Sequence, residues 1–220
     1  MGIKIEYFKA YHDILYLDMS IQFVFLRHGE ATHNKAFHQE QNEMSVFTNE
    51  EFKDASLTRL GIQQARTVGE KLAKEFGMNG WTAMWCSPLT RAIETACEIY
   101  EEINVHETVL HDNLIEMQIE KYICNHRLTR DELDTKYFSM WDTKYLADVQ
   151  SVWNKSETPL VVRDRMWMLC ALLSYIYKDK PNPRILIVSH ANAIQELTGK
   201  YLKNCEYCVV NGLEGLSTVG

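Results

Sequence analysis

The chain has 220 residues, of which 46% are hydrophobic and 24% charged, with only 10 glycines and 4 prolines. That composition excludes collagen-like, low-complexity and disordered classes, and roughly 70% of the unfolded surface of such a chain is buried on folding, so no disulfide staple is needed. A net charge of −7 argues against a nucleic-acid partner, whose phosphates call for a basic surface, but allows a small anionic substrate held by a few clustered cations.

Residues 1–20 alternate Lys4, Glu6, Lys9, Asp13 and Asp18 with apolar positions, which is no signal-peptide core; an edge hairpin is expected there. Ile21–Leu26 is an apolar, β-branched and aromatic run expected as a strand. Polar Lys35–Ser56 reads as a long loop of the kind that often carries function. Thr58 is placed to N-cap a helix with Ile62, Ala65, Val68, Leu72 and Phe76 at helical spacing. A second strand, Trp81–Cys86, leads to Ser87-Pro88, expected as N-cap and first helical residue. The helix that follows would bury Ile93, Ala96, Tyr100 and Ile103. Residues 117–160 are rich in charge and aromatics (Trp141, Tyr145, Trp153) and are expected to form an inserted helical cap.

Val162–Tyr177 is a helical run stopped by Pro181 and Pro183. Its apolar part, Met166–Tyr177, falls well short of the roughly 20 residues that span a bilayer, so no membrane partner is expected. Ile185–Val188 is the third strand, and Ile194, Leu197, Thr198 and Tyr201 mark the last helix. The scattered Cys86, Cys97, Cys124, Cys170, Cys205 and Cys208 read as reduced thiols of a cytoplasmic protein. Strand–helix alternation predicts an α/β fold: a three-layer sandwich with a mostly parallel central sheet flanked by helices, in one domain over 1–220.

In such sheets ligands bind beyond the carboxyl ends of the strands. The three strand ends here deliver Arg27-His28-Gly29-Glu30, Ser87-Pro88 with Arg91 in the next helical turn, and Ser189-His190-Ala191-Asn192. Two arginines and two histidines beside helix N-termini suit a tetrahedral oxyanion, above all a phosphoryl group. A neutral imidazole in that pocket could attack phosphorus and form a phosphohistidine that water hydrolyses.

Arg27-His28-Gly29-Glu30-Ala31-Thr32-His33-Asn34 resembles the RHGExxxN signature of the histidine phosphatase superfamily, in its phosphoglycerate-mutase-like branch. Asp54-Ala55-Ser56-Leu57-Thr58 with Gly61, Gln64 and Ala65 is similar to the family's DxxLTxxGxxQA stretch. Ser87-Pro88-Leu89-Thr90-Arg91 with Ala92, Thr95 and Ala96 resembles its SPLxRAxxTA segment, and Val188-Ser189-His190-Ala191-Asn192 its second-histidine motif. The resemblance implies His28 as phosphorylated nucleophile, Arg27, Arg91 and His190 as phosphoryl ligands, and Asn34 and the Ala191 amide as further contacts. Glu30 and Asn192 join the expected substrate-binding set. The resemblance also implies an acidic proton donor in a short L-x-E segment, which Leu114-Ile115-Glu116 fits; Asp112 and Glu120 are the rival acids.

The leading expectation is a metal-independent phosphomonoesterase acting on a small phosphorylated substrate, with no cofactor. The alternative is a phosphoglycerate mutase, with 2,3-bisphosphoglycerate as its cofactor. The family's mutases carry E-R-x-Y-G after the acid, whereas Glu116 is followed by Met117-Gln118-Ile119-Glu120. A non-catalytic phospho-ligand-binding module is the third reading. His28-x-Glu30-x-x-His33 has the wrong spacing for a zinc H-E-x-x-H helix, and Cys205-x-x-Cys208 reads as an incidental strand pair. His33, His38, His106, His111 and His126 read as solvated or packing, and Lys121, Arg127, Arg130 and Lys136 as a solvated face. Neither physiological substrate nor oligomeric state follows from these residues.

Overall fold

A computed structural model describes residues 21–41, 43–119, 121–137, 140–147 and 156–216. The expected hairpin at 1–20, Glu120 and Trp153 lie outside the described residues.

Strand β1 (Gln22–Arg27) is followed by helix α1 (Thr32–Gln39) and 3-10 turns at Met44–Thr48 and Glu50–Phe52. Then come α2 (Arg59–Phe76), β2 (Ala83–Cys86), α3 (Thr90–Tyr100), β3 (Thr108–His111), α4 (Arg130–Tyr137) and β4 (Asp142–Tyr145). The chain closes with α5 (Pro159–Ile176), β5 (Arg184–Ser189), α6 (Ala191–Thr198) and β6 (Tyr207–Asn211). The sheet order is β4-β3-β2-β5-β1-β6. Every neighbouring pair is parallel except β1–β6, which is antiparallel.

The central strands are apolar without alternation because helices cover both faces. Phe23 and Phe25 of β1, with Ile185 and Ile187 of β5, pack against Val162, Met166, Leu169 and Leu173 of α5. Val24, Leu26, Leu186 and Val188 face the opposite way, onto Val68 and Leu72 of α2 and Ile93 and Ala96 of α3. The predicted three-layer, mostly parallel architecture is thus the one observed. Helix α2 starts at the expected N-cap, where Thr58 Oγ1 accepts from the Gly61 N–H. Among the described residues no helix is long and apolar enough to cross a membrane.

Several expectations need correction. Lys35–Ser56 is not one loop: it holds most of α1 and both 3-10 turns, which close over a satellite core of Ala36, Val46, Phe52 and Ala55. Residues 117–160 are not wholly a helical cap, because β4 joins the sheet edge beside β3. Strand β4 reads Asp-Thr-Lys-Tyr, without the apolar alternation that would have marked it. Ser87 does not cap α3. That helix starts at Thr90 after Leu89, which has no side-chain cap to give, and the Asp54 carboxylate serves instead. It accepts from the Thr90 N–H and from Thr90 Oγ1, both at 2.8 Å. Tyr100 lies on the exposed side, while Ile103, past the helix end, is buried. Tyr201 is outside α6, which ends where Gly199 takes a left-handed φ of 70°.

Candidate active site

The carboxyl ends of β1 and β5 lie side by side, with Arg27 paired to Ser189, so His28 and His190 emerge together. Their ring centroids are 5.0 Å apart. Gly29 must be glycine: a Cβ there would sit 2.5 Å from the Gly61 carbonyl oxygen. That close approach seats the turn after β1 on the start of α2, where the Thr58 N–H also donates to the Glu30 carbonyl at 2.8 Å.

His28 is buried, and its Nδ1 lies 2.7 Å from the Gly29 carbonyl oxygen. A carbonyl only accepts, so Nδ1 carries the proton and Nε2 keeps its lone pair. The Arg91 Nε–H donates to that Nε2 at 3.2 Å. Burial first, then the charges of Arg91 and Arg27, push the His28 pKa well below its ordinary 6.5, so the ring is neutral at neutral pH. His190 is shifted the same way by burial, Arg91 and His28, and its Nε2 lies 2.8 Å from Ser87 Oγ.

Arg91 is almost wholly enclosed at the start of α3. Its Nη1 donates to the Cys124 carbonyl at 2.7 Å and its Nη2 to Asn125 Oδ1 at 2.9 Å. Arg27 donates from Nη1 to the Leu202 carbonyl at 3.0 Å and lies 5.8 Å from the ring centre of Tyr201. Arg27 Nε, His33 Nδ1 and His190 Nδ1 are buried without a hydrogen-bond partner in the protein. Orphaned polar atoms are costly and uncommon, and these three belong to residues around one cavity.

That cavity has a volume of about 800 Å³, toward the upper end of ordinary ligand sites. Arg27, His28, Asn34, Arg91, Glu116, Ala191 and Asn192 all line it; His190 is not part of the wall, and its fully buried ring sits beside that of His28. Asn34 Oδ1 accepts from the Ala31 N–H at 3.1 Å, which turns its Nδ2 toward His33 Nε2 at 3.0 Å. Glu116 lies across the N-terminus of α6. Its Oε1 accepts from the Met117 and Ala193 N–H groups at 2.8 and 3.0 Å, and its Oε2 from Asn192 N–H at 3.3 Å.

Asp112, a rival acid, is committed elsewhere. It pairs with Arg127 at 2.8 Å and accepts from the Ala147 N–H at 2.6 Å, and it is not part of the cavity wall. Arg127 is accordingly buried, which corrects its assignment to a solvated face. Glu30 is also corrected: its Oε1 accepts from Thr58 Oγ1 at 2.7 Å, and it does not line the cavity. Asn192 contributes wall and an N–H to Glu116.

Other residues of the site had no signal in the sequence. Asn125, which holds Arg91, lies in a stretch without a motif. Asn204 donates from Nδ2 to the His28 carbonyl at 3.0 Å. His33 is a cavity residue, buried beside Asn34 and edge-on to Phe47 at 6.0 Å, where the sequence suggests only a solvated or packing histidine. The six cysteines are free thiols, and among the described residues no cluster of His, Cys, Asp or Glu is arranged to hold a metal ion.

Fold and site together define an α/β protein with a cavity at the strand ends, where two arginines flank a buried, neutral histidine. The chain belongs to the histidine phosphatase superfamily (branch 1), whose family model matches residues 23–206. No curated protein matches the chain. Among solved structures it is similar to the ecdysone phosphate phosphatase of Bombix mori in complex with tungstate, with TM-score 0.65, 17% identity and coverage of 91% of this chain and 92% of that one. A mycobacterial glucosyl-3-phosphoglycerate phosphatase in complex with VO3 gives TM-score 0.55, 19% identity, and 89% and 94% coverage. A phosphoglycerate mutase from Bacillus anthracis gives TM-score 0.56, 16% identity and 91% coverage of each chain. At such identities these likenesses speak for the fold.

Proposed function

We propose that the protein is a metal-independent phosphomonoesterase that works through a phosphohistidine on His28. The observation that carries this reading is the His28 tautomer: Nδ1–H is spent on the Gly29 carbonyl, leaving the Nε2 lone pair beside the guanidinium groups of Arg27 and Arg91. In the first step that lone pair forms a bond to phosphorus, and the P–O ester bond breaks. The departing oxygen keeps the bonding electrons and takes the proton of the Glu116 carboxyl group. The three N–H groups that hold Glu116 receive the resulting carboxylate. In the second step a water gives its proton to Glu116 and attacks phosphorus, the P–N bond breaks, and free imidazole and phosphate result. Arg27, Arg91 and the α6 N-terminus supply the charge stabilisation that a metal provides elsewhere.

Tungstate and VO3, tetrahedral or phosphate-like oxyanions, accompany two of the structural relatives, which supports an oxyanion at the equivalent place here. The test is hydrolysis of p-nitrophenyl phosphate by the purified chain in EDTA, with vanadate inhibition and an acid-labile phosphoenzyme trapped on His28. Activity that vanishes with chelator and returns with Zn²⁺ or Mg²⁺ would overturn the reading.

A further inference from the structure

We infer that the substrate's alcohol portion is a large, uncharged apolar group, flat or aromatic, rather than a second anionic arm like that of phosphoglycerate; this rests on the phosphomonoesterase reading above. The cavity of about 800 Å³ is much larger than a phosphoryl group, so its remaining walls describe the rest of the molecule. Away from the catalytic residues the wall has a polar part, with Gln64, Lys203 and Asn204, and an apolar part made of Phe37, Met44, Phe47, Met117, Ile119 and Tyr122.

The aromatic part of this surface is continuous. The Phe47 ring lies 5.0 Å from Phe37 and 5.0 Å from Tyr122, each at an interplanar angle of 35°, and meets His33 edge-on at 6.0 Å. It therefore runs from a residue bonded to Asn34 out to the mouth. At the mouth Met44 is 53% exposed, an apolar side chain open to water in a chain of net charge −7. None of the six side chains carries a positive charge, and of them only the Tyr122 hydroxyl can donate a hydrogen bond to a carboxylate or a second phosphate. Among the described wall residues, Lys203 is the one lysine or arginine beyond Arg27 and Arg91. It adjoins Leu202, whose carbonyl accepts from Arg27. On the side of Phe37, Phe47 and Tyr122 a second negative charge would lie against hydrocarbon, whereas an apolar group would replace water there.

The test compares three phosphomonoesters of alkyl alcohols, so that the need for a proton donor is similar throughout: 2-(2-naphthyl)ethyl phosphate, ethyl phosphate and 3-phosphoglycerate. The naphthylethyl ester is expected to exceed both others in kcat/KM by at least about tenfold, the least that burial of one aromatic group predicts. Phe47→Ser and Tyr122→Ser should each shrink that ratio several-fold through KM, and Phe47→Trp should keep it. Equal kcat/KM for naphthylethyl and ethyl phosphate overturns the inference. So does a preference for 3-phosphoglycerate that Lys203→Ala removes. The wild-type ratios decide the matter even where a variant fails to fold. If neither these esters nor p-nitrophenyl phosphate is hydrolysed, the phosphomonoesterase reading falls, and this inference with it.

Discussion

The two sides of the cavity are built on different principles. The floor hangs from the ends of β1 and β5, strands buried on both faces and locked in register from Gln22–Arg184 to Arg27–Ser189. The far wall comes from α1, the 3-10 turns at Met44–Thr48 and Ile123–Asn125, and the side chains of Met117, Ile119 and Tyr122, with ring contacts among Phe37, Phe47 and Tyr122. Groups that meet a reacting atom need positions fixed to a fraction of an ångström, and a packed sheet supplies that. Groups that only cover a substrate's apolar part can sit on adaptable segments. Arg91 joins the two sides, with one nitrogen on His28 and two on Cys124 and Asn125.

The sharpest way to break this division is at the floor. His28→Ala should reduce turnover to background and remove the phosphoenzyme, since no neighbour offers a second unprotonated nitrogen in the same place; a label that persists, or moves to His190, would refute the assignment. Next comes Glu116→Gln, expected to cost about 10²–10⁴-fold on ethyl phosphate and far less on p-nitrophenyl phosphate, whose leaving group scarcely needs a proton. Asp112→Asn should show no such leaving-group dependence. It should instead lower stability by about 3 kcal/mol, because the buried Arg127 loses the carboxylate that it pairs with at 2.8 Å, measurable as a drop in urea midpoint.

Asn125→Ala tests the joint between the sides. Loss of one charge-assisted hydrogen bond to Arg91 should cost roughly 1.5–3 kcal/mol of stability, and a fall of about tenfold in kcat/KM is expected as the guanidinium loosens. A variant that loses stability while keeping full activity would mean that the wall does not position Arg91. A last test, of the buried histidines together, is in pH. His28, His33 and His190 are held well below their ordinary 6.5, and His111 is pushed down to about 4, chiefly by burial. Below 6.5 the unfolded chain takes up protons that the folded chain refuses. Stability is therefore full above that pH and declines as pH falls beneath it, by up to about 1.4 kcal/mol per pH unit for each histidine. Thermal midpoints between pH 7.5 and 5 would reveal it, and a flat profile would show that these rings are protonated in the fold.

The same division explains what could be read from residues alone. Arg27, His28, Arg91 and His190 follow apolar runs that announce buried strands, so the meeting of Arg27, His28 and Arg91 at one cavity, with His190 beside His28, is foreseeable. Glu116 reached the wall as the L-x-E segment implied, and its choice over Asp112 needed only the position of Arg127. Asn125, Asn204 and the Phe47–Tyr122 contact were invisible, because 3-10 turns and irregular segments have no periodicity to detect. Ser87 was misjudged because its place before Pro88 fits a cap. The actual cap is Asp54, brought 36 residues along the chain to Thr90, and only tertiary structure can show that. Strand β4 escaped notice because an edge strand needs no apolar face.

The sheet order has a consequence for biosynthesis. Strand β1 pairs with β5 and β6 and with no strand made in between, so Phe23, Val24, Phe25 and Leu26 have no sheet partner until residues 184–189 leave the ribosome. At ordinary elongation rates that interval is on the order of ten to thirty seconds. A hydrophobic strand waiting that long is a natural client for a chaperone, and a truncated chain ending before Arg184 would keep it exposed permanently. The same late strand brings His190 to His28, so a nascent chain gains a complete cavity only when the middle of its sheet closes.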